Sequence, residues 1–168
     1  MKKVILLVSV ALIAISCGND KKIKQEAKPA VKQEVVEESK KETSLKEVTI
    51  LLSSSDQMQY DKNELKVEAG QKETLTLKHT GKMAKSAMGH NFVLLKKGVD
   101  IPKFAEKAMV AADTEYIPKG DDIIVNTKLI GGGESITITF NAPAKGSYDY
   151  ICTFPGHYTI MKGKFIVE

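Results

Sequence analysis

The chain has 168 residues, with 25 lysines, no arginine and 21 acidic residues, for a formal net charge of +4. The missing arginine argues against reading nucleic acid, where planar guanidinium groups make the bidentate contacts. From Glu47 to Glu168 the 15 lysines equal the 15 acidic residues; this excludes steering by a strong net field and leaves shape and apolar contact to select a partner.

Met1-Lys2-Lys3 precedes an apolar run, VILLVSVALIAIS, too short for a comfortable transmembrane helix. A basic start, a short apolar stretch and small residues read as a secretory signal over residues 1–16. Ala14-Ile15-Ser16-Cys17 resembles a bacterial lipobox, in which the cysteine becomes the acylated first residue of the exported protein. An ordinary signal peptide with a chance cysteine is the alternative. With Cys17 acylated, Cys152 has no disulfide partner, which makes it a lone thiol in an exported domain. Residues 17–46 then form an acylated cysteine followed by a Lys/Glu-rich stretch with no aromatic residue. It cannot bury enough surface to offset the entropy of ordering, so a disordered tether is expected. A solvated helix held by Glu–Lys pairs four apart is the other reading. Fully extended, some 30 residues reach at most about 100 Å.

From Glu47 the pattern changes to a period of two. Val48/Ile50/Leu52, Leu65/Val67, Leu75/Leu77, Phe92/Leu94, Ile136/Ile138/Phe140, Tyr148/Tyr150 and Phe165/Val167 each alternate with polar or smaller residues. Turn residues such as Asp61-Lys62-Asn63, Gly131-Gly132-Gly133 and Pro143-Ala144-Lys145-Gly146 separate them. Short strands at this spacing predict an all-β sandwich over residues 47–168. One segment, Ile101 to Ala112, breaks the rhythm and predicts an inserted helix, with Pro102 in its first turn and Phe104, Ala108 and Met109 on one face.

Near the end of the chain, Cys152, His157 and Met161 stand at spacing C-x4-H-x3-M, with Pro155-Gly156 forcing a tight turn between the first two. A thiolate, an imidazole and a thioether form a soft donor set suited to copper. His90, at the start of an alternating run, can supply a second imidazole. Taken singly, His90 reads as a satisfied or surface histidine, Met161 as core and Cys152 as a small buried residue. Together they match the two-histidine, one-cysteine copper site with a distant methionine.

The chain resembles the azurins, blue-copper electron-transfer proteins of the cupredoxin family. The matching stretches are Asp56–Tyr60, Met88–Leu94, Thr127–Gly131, Cys152–His157 and Met161–Gly163. The resemblance covers about residues 47–168. It implies a cupredoxin-like Greek-key β-sandwich of about 7–8 strands holding one copper per domain. His90 and His157 would bind through ring nitrogens and Cys152 through its thiolate. Met161 would be a distant axial sulfur, and the Gly89 carbonyl a weak ligand opposite it. Backbone amides of Asn91 and Phe154 would donate to the Cys152 sulfur and tune the potential, while Asn91 ties its strand to the ligand loop. Met58, Met88, Phe154 and Pro155 would form an apolar docking patch around His157. His79 matches a family histidine that is not a ligand and reads as structural or pH-responsive. The chain departs from the azurins in lacking the early disulfide and the core tryptophan, with Phe92 where an aromatic residue is expected.

The function this implies is one-electron transfer by a blue copper centre and not catalysis. The expected partners are c-type cytochromes or membrane oxidoreductases and reductases. The chain is expected to be a monomer, lipid-anchored in a bacterial cell envelope, facing the periplasm or on the cell surface. A periplasmic copper-binding or copper-delivery protein is the alternative; such proteins present exposed Met or His clusters, whereas here the ligands come from two distant stretches. A multicopper oxidase or copper nitrite reductase needs further histidine-rich sites, and only His79 remains.

Overall fold

The computed structural model describes residues 47–168; the expected signal peptide, the lipidated Cys17 and the tether lie outside the described residues. The alternating runs become strands for the expected reason: every second side chain can leave water only if the strand lies on a sheet with one face covered. The strands are β1 Glu47–Ser55, β2 Gln59–Tyr60, β3 Glu64–Val67, β4 Lys72–His79, β5 Val93–Leu95, β6 Ile123–Asn126, β7 Ser135–Asn141, β8 Gly146–Ile151 and β9 Lys162–Val167. The helices are α1 Lys85–Met88 and α2 Ile101–Met109. One four-stranded sheet has the order β2-β1-β4-β7, and a five-stranded sheet the order β3-β9-β8-β5-β6. This is the cupredoxin-like sandwich.

All seven alternating runs lie in or beside strands, with Phe92 one residue ahead of β5; β2 and β6 are additional. Leu52, Leu75, Leu77, Phe92, Leu94, Tyr150 and Phe165 are fully buried between the sheets, each contributing about 1.5–3 kcal/mol through burial. In α2, Asp100 caps the first turn by accepting from the Lys103 amide, and Pro102 occupies an early position where its missing N–H costs little. The buried face is Phe104, Ala105 and Ala108. Met109 is 50% exposed, which corrects the expected face. At 100° per residue Met109 lies about 140° around the helix from Phe104, while Ala108 lies about 40° away. The helix also ends at Met109 instead of Ala112, where the chain turns into a short 3-10 segment, Ala112–Thr114.

Strand β4 lies between β1 and β7 in the four-stranded sheet. It pairs in parallel with β1 over eight residues, from Glu47↔Lys72 to Ser54↔His79, and antiparallel with β7. Its inward face carries Glu73, Leu75, Leu77 and His79. His79 therefore stands at one end of the core and Glu73 near the other.

Candidate metal centre

The His79 end of the sandwich collects side chains from three stretches. His90 follows α1 and is held by an isolated bridge in which it exchanges two backbone hydrogen bonds of 2.9 Å with Ile130. Cys152 follows β8, and its amide donates to the Met161 carbonyl at 3.0 Å. The ligand loop between them turns at Gly156, whose φ of 82° is the left-handed conformation glycine adopts without penalty. The loop then closes on itself, the His157 amide donating to Phe154 and the Met161 amide to His157.

The three donors converge. His157 Nδ1 is 3.6 Å and His90 Nδ1 3.9 Å from Cys152 Sγ, and all three ligand atoms lie within 4.8 Å of one another. Metal–nitrogen and metal–sulfur bonds of about 2.0 and 2.3 Å, spread at about 120°, put such donors about 3.7 Å apart. The residues present therefore fit a metal ion. His90, Cys152 and Met161 are fully buried, and His157 is 3% exposed. The Gly89 carbonyl is 3.9 Å from the Cys152 sulfur. Glycine at 89 is required by space: a Cβ there would stand 2.6 Å from the Lys85 carbonyl and 2.6 Å from a Leu129 methyl.

The His90 ring is oriented from behind. His90 Nε2 is 2.9 Å from the Ser55 carbonyl, so that nitrogen carries the proton and Nδ1 offers its lone pair toward the sulfur. His79 stacks on His90 with ring centroids 4.4 Å apart. Its Nδ1 accepts from the Gly81 amide and its Nε2 donates to the Met88 carbonyl, both at 3.0 Å. Both ring nitrogens are thus partnered within the fold, a structural role. Asn91 clasps the ligand loop: its Nδ2 donates to Thr153 Oγ1 at 2.7 Å, and its Oδ1 accepts from the Thr153 amide at 2.9 Å.

Burial decides the protonation states. It pushes the Cys152 thiol up to about 12, against the pull of backbone amides from Asn91 and Phe154 that donate to the sulfur. It lowers His90 and His157 to about 4. The metal-free site at neutral pH is therefore a thiol and two neutral imidazoles, ready to bind a cation at the cost of one thiol proton.

Phe154 lies against His157, with ring centroids 4.7 Å apart. Phe154 and Pro155 belong to the ligand loop and are half-buried. Met58 is half-buried in the β1–β2 turn, with its amide on the same Ser55 carbonyl that holds His90. Met88 is half-buried at the end of α1, two residues before His90. Sequence reasoning missed the pair Glu115–Tyr116. Both sit at positive φ, 54° and 64°, which costs about 1–2 kcal/mol per non-glycine residue. The Tyr116 ring meets Phe154 edge-on at 5.3 Å. Nothing in the sequence marks this pair, because neither residue type favours a left-handed backbone.

Residues 46–168 match the family model for copper binding proteins of the plastocyanin/azurin family. The chain is 42% identical to azurin-1 of Alcaligenes xylosoxydans xylosoxydans over 123 residues, covering 70% of this chain and 95% of the relative. It is 44% identical over 119 residues to outer membrane protein H.8 of Neisseria meningitidis serogroup B, covering 67% of this chain and 63% of that one. Among solved structures it is similar to the dithionite-reduced auracyanin of the photosynthetic bacterium Roseiflexus castenholzii. That match has a TM-score of 0.65 and 40% identity, and covers 71% of this chain and 96% of the other.

Proposed function

The chain belongs to the plastocyanin/azurin family of copper-binding proteins and takes one copper as its cofactor, and from that premise we propose that it is a membrane-tethered carrier of single electrons. The observation that carries the reading is the buried convergence of two imidazole nitrogens on one cysteine sulfur. His90, Cys152 and His157 would hold the copper as strong donors. Met161 would be a weak thioether donor and the Gly89 carbonyl a weak contact. Bound copper supplies one reversible electron between copper(I) and copper(II). The chain's own residues keep the donors still. Ser55 fixes the His90 ring, Asn91 and Thr153 tie strand to loop, and the Asn91 and Phe154 amides withdraw charge from the sulfur. Full burial of Cys152 excludes water from the thiolate.

His157 is the donor from which an electron enters or leaves, because it is the one of the three with residual exposure and lies against Phe154. Met58, Met88, Phe154 and Pro155 offer an uncharged docking patch to a redox protein such as a c-type cytochrome or a membrane oxidoreductase. Acylated Cys17 and the tether would keep the domain near those partners in the cell envelope. The lipobox-like segment supports this, as does similarity to a relative named as an outer membrane protein.

Voltammetry of the copper-loaded protein tests the function: a reversible one-electron couple is expected. Met58→Lys should slow self-exchange between copies while leaving the absorption spectrum unchanged. An irreversible couple defeats the electron-transfer reading, and an unchanged exchange rate defeats the patch.

A further inference from the structure

We propose that Glu115 and Tyr116 are positioning residues that brace the two halves of the metal centre from one point outside it. The two halves are far apart in sequence, His90 with its flanks on one side and the Cys152–Met161 loop on the other. Adjacent side chains of one short turn reach both.

Glu115 serves the His90 half. One carboxylate oxygen accepts from Lys85 Nζ at 3.0 Å and the other from the Leu129 amide at 3.1 Å. Lys85 opens α1, which leads into Gly89. Leu129 precedes Ile130, the residue that bridges His90. The Lys85 carbonyl and the Leu129 side chain are the two groups crowding Gly89, each 2.6 Å from the position of a Cβ. Glu115 therefore pulls together the two walls between which the Gly89–His90 segment runs. Its carboxyl is held below the usual range, chiefly by the Lys85 hydrogen bond, so the ionised form persists at neutral pH.

Tyr116 serves the other half. Its ring packs edge-on against Phe154 at an interplanar angle of 71°, and Phe154 packs on His157. The turn that presents both residues is closed by its own bonds: the Tyr116 amide to Ala111 at 2.9 Å, and Thr114 Oγ1 to the Ala111 and Ile117 carbonyls. Two consecutive non-glycine residues at positive φ are rare and persist where surrounding contacts over-determine them. Here the backbone is held by the turn's own bonds, while the side-chain contacts of Glu115 and Tyr116 lead to the metal centre.

The inference rests on His90, Cys152 and His157 being the copper ligands, and its test separates the two ideas. Glu115→Ala and Tyr116→Ala keep the backbone demand but remove the contacts; Glu115→Gln keeps an acceptor for Leu129, and Tyr116→Phe keeps the ring. In the full chain, copper affinity by chelator competition should fall about 10-fold in each alanine variant and be restored in each conservative one. In the metal-free chain, amide hydrogen exchange should speed at His90 and Ile130 in Glu115→Ala, and at His157 in Tyr116→Ala. Alanine variants that lose only thermal stability, with wild-type affinity and local exchange, would overturn the brace, as would conservative variants as impaired as alanine. A wild-type chain that takes up no copper defeats the ligand assignment, while the exchange data still decide the brace.

Discussion

Strand β4 carries two fully buried titratable side chains on one face, six residues apart, and they are treated in opposite ways. His79 has a partner for each ring nitrogen and a stacked neighbour. Glu73 has none among the described residues: both carboxylate oxygens are buried without a hydrogen-bond partner there. By register it is flanked by Val48 on β1 and Phe140 on β7. Burial alone raises it from the ordinary value of 4.5 to about 6. Among the described residues, no fully buried side-chain nitrogen or oxygen at the metal end lacks a partner, whereas the far end tolerates an unpaired acid. Buried polar groups stabilise only when fully partnered, and an orphan costs the desolvation it cannot recover.

The largest effect should come from breaking the satisfied end. Asn91→Ala leaves the Thr153 amide and hydroxyl buried without partners and should cost about 3 kcal/mol in urea unfolding. Next, Gly89→Ala forces its Cβ into the Lys85 carbonyl and the Leu129 side chain. It should cost about 1–3 kcal/mol and displace His90, read as weakened copper uptake. At the other end the sign reverses: Glu73→Leu should stabilise by about 1–2 kcal/mol at pH 8. Because the folded value lies above the unfolded one, the wild-type contribution is fully present below 4.5 and is lost as pH rises through about 6. The unfolding midpoint of the wild type should therefore fall between pH 4.5 and 6.5 relative to that of Glu73→Leu. Parallel midpoints across that window would show that Glu73 is partnered in solution. The smallest effect belongs to the exposed Thr ladder on the outer sheet face. Thr76→Ala loses one 2.8 Å bond to Thr137 and should change stability by less than about 0.5 kcal/mol.

The parts of this contrast were unequally legible in the sequence. Alternation marks β1, β4 and β7 through Val48/Ile50/Leu52, Leu75/Leu77 and Ile136/Ile138/Phe140. The run Ile123–Asn126 has no alternation and became β6 only by pairing with β5. None of the four residues of α1 is fully buried, so no periodicity could reveal them. Extending the Leu75/Leu77 alternation puts both Glu73 and His79 inward, yet charge argues against such a place for a glutamate, and only the completed sandwich decides it. The Cys152–His157 spacing is local chemistry and reads directly. His90 needed the match to a known donor set. The Glu115–Tyr116 turn depends on backbone angles that its residue types do not announce.

In the proposed function, His90, Cys152 and His157 hold one copper through a thiolate in a water-free site. The most direct test is an optical titration of the protein with copper(II), alongside Cys152→Ser. An intense blue charge-transfer band is expected that saturates at one copper per chain and is absent in Cys152→Ser. A copper-loaded protein without that band, or a band that survives Cys152→Ser, would contradict it.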